Sequence, residues 1–294
     1  MQKGYNMKKI AVTGANGYLA SLVMKSNAGK YEFIPLTRKD IELSEPAKVK
    51  EFFENLDFDV VLHTAADATT AHCEETPELT HRINTESTIA IADVCKAKGK
   101  RFIFLSTEQC FNGKTVEGPF KEEEELVAVT NYGLQKKEAD EYIRANLEDY
   151  VILRLSWMMG LPMPGIKVSP NIIKNVANAL AHEKPTLFTV NEVRGMTYMR
   201  NLADQFDKIV ELPTDVYNFT AENTLNTYEA AKLVAKKFGA SEETIAKIIL
   251  PNTERYKDRF RDYRLDNTKI KEHGIVLTNF EEDVEACLKD FGWM

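Results

Sequence analysis

Long apolar runs are missing from this 294-residue chain. Nothing approaches the roughly 18–20 consecutive apolar residues that cross a bilayer. The polar start Met1–Lys9 leads only into Ile10–Val12, far short of the ~7–15 residues of a signal-peptide core. No membrane partner and no secretory leader are expected, and the expected location is cytoplasmic. Cysteine is scarce too: Cys73, Cys95, Cys110 and Cys287 lie far apart, with no Cys-x-x-Cys pair. That excludes a disulfide framework and a zinc site, and the four read as reduced thiols. His72 and His81 flank a Glu-rich segment but lack ligand spacing, so no metal is expected. Clustered positive charge is the third absence. Lys+Arg number 38 against 45 Asp+Glu, a net charge of −7, and the basic stretch Arg255–Arg264 is broken by Asp258 and Asp262. A nucleic-acid partner needs more than this to neutralise phosphates.

What is present is an α/β alternation. Lys8–Thr13, Glu32–Leu36, Val60–Thr64, Arg101–Ser106 and Tyr150–Leu155 are short apolar or β-branched runs. Between them lie helical patterns at Ser21–Asn27, Pro46–Asn55, Glu86–Lys98 and Thr130–Leu147. Strands alternating with helices of this length predict a doubly wound parallel sheet covered on both faces. The pattern loosens at Gly160–Pro170, where Pro162, Pro164 and Pro170 mark a loop. Beyond it, Asn171–Ala181, Thr227–Phe238, Ser241–Ile249 and Phe280–Phe291 read as helices and Val216–Thr220 as a strand. The expected division is residues 7–160, joined by strand 216–220, against a smaller α/β lobe of 161–215 and 221–294. Met1–Asn6 reads as a poorly ordered extension.

Three patterns carry chemistry. The first strand runs into Thr13-Gly14-Ala15-Asn16-Gly17-Tyr18-Leu19-Ala20, a Gly-x-x-Gly-x-x-Ala turn opening a helix. Glycines permit a tight turn and close backbone approach, and the helix start offers N–H groups to a diphosphate; a purely structural turn is the competing reading. After the second strand comes Leu36-Thr37-Arg38-Lys39, where a cation suits a 2′-phosphate better than an acid would, favouring NADP with NAD left open. Ordinary surface charges would look the same. Finally, Tyr132 and Lys136 stand one helical turn apart, 25 residues after the strand-end Thr107. A fixed cation is expected to lower the phenol pKa from about 10, and the Thr107 hydroxyl to orient a carbonyl or its oxyanion.

Together with Val60–Ala66, Arg82-Ile-Asn84, Phe111-Asn-Gly113, Leu153–Trp157, Arg194–Tyr198 and Arg264–Lys269, these segments resemble the extended short-chain dehydrogenase/reductases. Within them the chain resembles the dTDP-4-dehydrorhamnose reductase-like (RmlD-like) group, from Met7 onward. The resemblance implies a Rossmann sheet with a C-terminal substrate lobe closing over a nucleotide sugar, and NADP as cofactor. By it, Thr107, Tyr132 and Lys136 form the catalytic set. Gly14, Asn16, Gly17, Tyr18, Leu19, Arg38, Ala65 and Ala66 border the cofactor with Tyr132 and Lys136. Glu108, Trp157 and Arg194 are expected on the substrate side, with a core or rim tryptophan and a salt-bridging arginine as the competing readings of the last two, and a homodimer is left open.

The departures lie on the substrate side. Where the group reads Ser-Thr-Asp-Tyr-Val-Phe, this chain has Ser106-Thr107-Glu108-Gln109-Cys110-Phe111, and the Asp-Gln-x-Gly-x-Pro-Thr segment is Asn191–Thr197. The expected reaction is reduction of a 4-keto sugar nucleotide. A sugar-nucleotide epimerase or dehydratase on the same fold, and a cofactor-binding regulatory subunit, are the alternatives.

Overall fold

Strands covered on both faces must be apolar along their length instead of alternately, and the central strands here meet that requirement. The computed structural model describes residues 7–294; the extension Met1–Asn6 lies outside them. The chain divides into two units: residues up to Gly113 with Leu126–Arg154 and Ala203–Tyr217, and Lys114–Glu125 with Leu155–Leu202 and Asn218–Met294.

In the first unit, β1 (Lys9–Thr13), α1 (Tyr18–Ser26), β2 (Glu32–Leu36), α2 (Pro46–Asn55) and β3 (Val60–His63) follow in order. Then come α3 (Thr70–Glu75), α4 (Pro77–His81), a π-helical turn at Arg82–Glu86, and α5 (Ser87–Lys98). The unit continues with β4 (Arg101–Thr107), a 3-10 turn at Glu108–Phe111, α6 (Asn131–Asn146) and β5 (Tyr150–Leu155). A further strand at Asp215–Phe219 completes a six-stranded sheet: β2, β1, β3, β4, β5 and then that strand. The pairings β1–β2, β1–β3 and β3–β4 are parallel. The chain is thus the doubly wound α/β fold that the alternation predicts. Its core joins Val61, Phe102, Phe104 and Ile152 of the sheet to Val49, Phe53, Ile91 and Ile143 of the helices. Because β1 sits between β2 and β3, the strand order reverses there. In open sheets of this kind ligands bind beyond the strand ends at such a point.

The second unit has its own core, in which Ile172, Ile173 and Val176 pack with Ala231, Val234, Val284 and Leu288. The helix Phe280–Asp290 buries Phe280, Asp283, Val284, Cys287 and Leu288, one stripe of a 3.6-residue period. Asn279 and Glu282 close a capping box at its start, as Asn226 and Glu229 do for the helix Thr227–Lys237. Three pairs of short parallel strands, Trp157–Met159 with Met196–Tyr198, Thr186–Thr189 with Ile249–Asn252, and Glu192–Arg194 with Arg261–Tyr263, complete it. Among the described residues no helix is long and apolar enough to cross a membrane.

Candidate active site

The glycine turn occupies the switch point. Gly14 has φ +65°, and a Cβ there would stand 3.0 Å from both the Ala65 Cα and the Thr64 Oγ1. Only glycine lets the β1–α1 turn approach the end of β3 so closely. The Ala15 N–H donates to the Leu36 carbonyl, tying the turn to the strand that precedes exposed Arg38. Gly17 caps α1 with no side-chain hydrogen bond and no acid in the first turn, so the helix start is electropositive. Asn16 and Gly17 are exposed, Tyr18 is buried, and Leu19, Ala65 and Ala66 are half-buried. A cradle that a Cβ would fill, an uncapped helix start and an exposed cation past β2 fit a phosphorylated dinucleotide.

Behind the cradle runs a buried polar chain. Thr13 Oγ1 accepts from the Thr64 and Ala65 N–H groups and lies 2.8 Å from His63 Nδ1. The hydroxyl proton therefore faces Nδ1, which assigns the imidazole proton to Nε2, 3.0 Å from Thr88 Oγ1. Thr88 donates to the Asn84 carbonyl, and Asn84 Nδ2 donates to Gln135 Oε1 on α6. His63 stacks on Phe102 and Phe104, and burial, then Lys136, lowers its pKa to about 3. It is a neutral hub.

Thr107, Glu108, Tyr132 and Lys136 come together beside this chain. Thr107 Oγ1 donates to Glu108 Oε2 at 3.0 Å and accepts from the Gln109 N–H at 3.2 Å. Tyr132 stands in the first turn of α6, which packs against the turn that follows Thr107. The expectation that Lys136 acidifies this phenol is overturned. Burial, and then the Glu108 carboxylate, push the Tyr132 pKa up. Lys136 instead aims its ammonium at the Phe104 ring, 3.8 Å from its centroid, and burial lowers its pKa to about 7. The spacing of four residues puts both groups on one helix face, but burial governs their protonation.

Helix α6 is fastened by groups that motif spacing does not reveal. A Cβ on Gly133 would lie 2.6 Å from the Gln109 carbonyl oxygen, so glycine brings Tyr132 against the turn carrying Glu108. Thr130 caps the helix by accepting from the Gly133 N–H, and Asn112 donates to the same hydroxyl at 2.7 Å. Asp140 accepts two hydrogen bonds from Arg154, each 3.0 Å, and a third from Ser106. The Arg-to-Asp spacing across β5 and α6 gives no local signal of this pair.

In the second unit, Trp157 and Arg194 also meet. The Arg194 guanidinium lies 5.5 Å from the Trp157 ring and 5.1 Å from the Tyr263 ring. Its Nη2 donates to Glu192 Oε2 at 2.6 Å and its Nε to Oε1 at 3.1 Å. Thr227 also donates to Oε1. Nearby, Tyr256 has φ +59° and packs under both Arg255 and Arg261. Glu192, Tyr263 and Tyr256 were not singled out by any sequence pattern.

The RmlD substrate binding domain family matches residues 7–292. The chain belongs to that family. It is 28% identical over 289 residues to the spore coat polysaccharide biosynthesis protein SpsK of Bacillus subtilis, covering 97% of this chain and 98% of that protein. It is 22% identical over 300 residues to a dTDP-4-dehydrorhamnose reductase of Burkholderia thailandensis, covering 96% and 98%. Among solved structures, a dTDP-4-dehydrorhamnose reductase of Bacillus anthracis in complex with NADP superposes with a TM-score of 0.83 at 19% identity, over 96% of this chain and 99% of that one.

Proposed function

We propose that this RmlD-family chain is an NADPH-dependent reductase of a 4-keto sugar nucleotide, with NAD(H) accepted less well. The observation that carries the reading is the packing of the turn after Thr107 against the start of the helix bearing Tyr132 and Lys136, in the unit that holds the glycine cradle. The family relatives that are named as dTDP-4-dehydrorhamnose reductases, one of them bound to NADP, support the substrate class and the cofactor. Gly14, Asn16, Gly17, Tyr18 and Leu19 would hold the diphosphate, Arg38 the 2′-phosphate, and Ala65 and Ala66 would leave room for the ribose. When bound, NADPH supplies the hydride. Tyr132 supplies the proton: a phenol kept protonated by its surroundings is the form that can protonate a developing alkoxide. Thr107 orients the carbonyl, and Lys136, on the same helix face, binds the nicotinamide ribose. Glu108 faces the substrate, while Arg194 and Trp157 of the second unit bind its nucleotide end.

The test is NADPH consumption with dTDP-4-keto-6-deoxy-mannose, with NADH as second donor. Wild type should turn over and Tyr132→Phe should lose about 10²–10⁴-fold in kcat. Product formed without net NADPH consumption would instead mark an epimerase. Absence of turnover by protein that binds NADPH would sink the proposed substrate.

A further inference from the structure

The loop that leaves β2 carries an anion where a phosphorylated cofactor calls for none. Asp40 folds back on the strand end: its Oδ2 accepts from the Thr37 N–H and from the Thr37 hydroxyl, both at 2.8 Å. Thr37 Oγ1 in turn accepts from the Lys39 N–H at 3.2 Å, and the Asp40 N–H donates to the Thr37 carbonyl at 3.0 Å. The hydrogen bonds from Thr37 hold the Asp40 carboxyl below its usual range, so it is a carboxylate at neutral pH. Arg38 and Lys39 are exposed, and among the described residues their side chains form no hydrogen bond or ion pair. The bond from the Ala15 N–H to the Leu36 carbonyl ties this strand end to the glycine turn, so these charges border the same cradle. In folds of this type a strand-end acid receives ribose hydroxyls and a nearby arginine takes a 2′-phosphate. Here both charges are present, and the acid reaches the strand end from Asp40, beyond the two cations in sequence.

We propose that Asp40 sets the choice between NADP and NAD, by occupying the Thr37 donors that a 2′-phosphate would use and by repelling the phosphate that Arg38 and Lys39 attract. The inference rests on the dinucleotide reading of the glycine cradle and adds to it the residue that keeps the preference for NADP modest. A phosphate of this kind carries a charge of about −1.5 to −2 at pH 7. It accepts hydrogen bonds, as the carboxylate does, so the two compete for the Thr37 N–H and hydroxyl. The ribose 2′-hydroxyl of NAD is a donor as well as an acceptor and meets no such conflict. Among the described residues Asp40 Oδ1 accepts no hydrogen bond, and it is the oxygen that can receive that hydroxyl. The two cations thus work against an internal anion, and removing the anion releases them.

Asp40→Asn keeps an oxygen for the Thr37 N–H and hydroxyl and removes the charge; Asp40→Ala removes both. Titration calorimetry with NADP and with NAD, at low ionic strength, reads the choice without turnover. NADP should bind about tenfold tighter to either variant than to wild type, the effect of lifting a like charge near the phosphate in water. NAD should bind within about threefold of wild type, on the weaker side. At about 1 M salt, where charges are screened within about 3 Å, most of the gain for NADP should vanish. Arg38→Ala should move the ratio the other way, weakening NADP by about tenfold and leaving NAD unchanged. An NADP-to-NAD affinity ratio that stays at the wild-type value in both Asp40 variants, or shifts toward NAD, overturns the proposal while leaving the cradle reading in place. A gain for NADP that survives 1 M salt overturns the repulsion on which it stands. Should wild type bind neither dinucleotide, the cradle reading itself fails and the proposal falls with it.

Discussion

Arg154 in the first unit and Arg194 in the second each close a two-point pair with a carboxylate beside an aromatic ring. They differ in what the pair joins. Arg154 and Asp140 are both 0% exposed and come from β5 and α6, so their bond fastens the helix bearing Tyr132 and Lys136 to the sheet. Arg194 and Glu192 lie two residues apart on one short strand, at 14% and 5% exposure, so the bond between them fastens no two elements together. Their guanidinium is held between two rings with an edge toward solvent. The first pair is a fastener; the second presents a cation.

The largest effect should therefore come from cutting the fastener. Arg154→Met leaves Asp140 buried without its main counter-charge. Arg144, 3.8 Å from the same carboxylate and 41% exposed, is placed too loosely to replace it. Loss of about 3–5 kcal/mol in denaturant unfolding is expected, with most of it returned when Asp140→Leu is added. A single-variant loss below about 1 kcal/mol would deny the fastening role.

Lys136 sharpens the contrast, as a cation of the first unit with a ring but, among the described residues, no ion pair. Its folded pKa is lowered to about 7 from 10.5. The unfolded chain binds the extra proton between these values, so this penalty on the fold is complete below about pH 7. It disappears as pH rises toward 10.5. Lys136→Met should abolish activity yet stabilise the protein by about 1–4 kcal/mol at pH 6, with the gain fading by pH 10. Thermal unfolding of the two proteins across that range checks the sign; a gain that grows with pH would refute the buried-cation account.

The same contrast explains how much was legible in the sequence. The sheet of the first unit announced itself because buried parallel strands are continuous apolar runs and the helices between them carry clear periodicity. Pro46–Asn55 and Tyr150–Leu155 were readable to the residue. The short strands Glu192–Arg194 and Arg261–Tyr263 hold three residues each, too few to show a period. Lys114–Glu125 belongs to the second unit through nonlocal bonds such as Phe120 N–H to Arg264 O and Asn218 N–H to Glu122, which no local pattern encodes. At the site, spacing revealed that Tyr132 and Lys136 share a face. It did not reveal their protonation, because burial depends on Phe104 and Glu108 from elsewhere in the chain. Nor did it reveal Gly133, whose need arises from a carbonyl 24 residues earlier in sequence.

The smallest stability effect should fall on the presented cation, and there binding is the sharper readout. In Arg194→Met, Glu192 keeps the Thr227 hydroxyl and the nearby charge of Arg255. The fold should lose only about 1 kcal/mol. If Arg194 serves the phosphates of a nucleotide, its bond to Glu192 competes with them, and the two partners must answer in opposite directions. Arg194→Met should weaken dTDP binding by about tenfold, some 1.4 kcal/mol. Glu192→Gln, by releasing the guanidinium, should tighten it. Titration calorimetry with dTDP reads both. Equal affinities in wild type and both variants would make Arg194 a strut between Trp157 and Tyr263, a fastener like Arg154 after all.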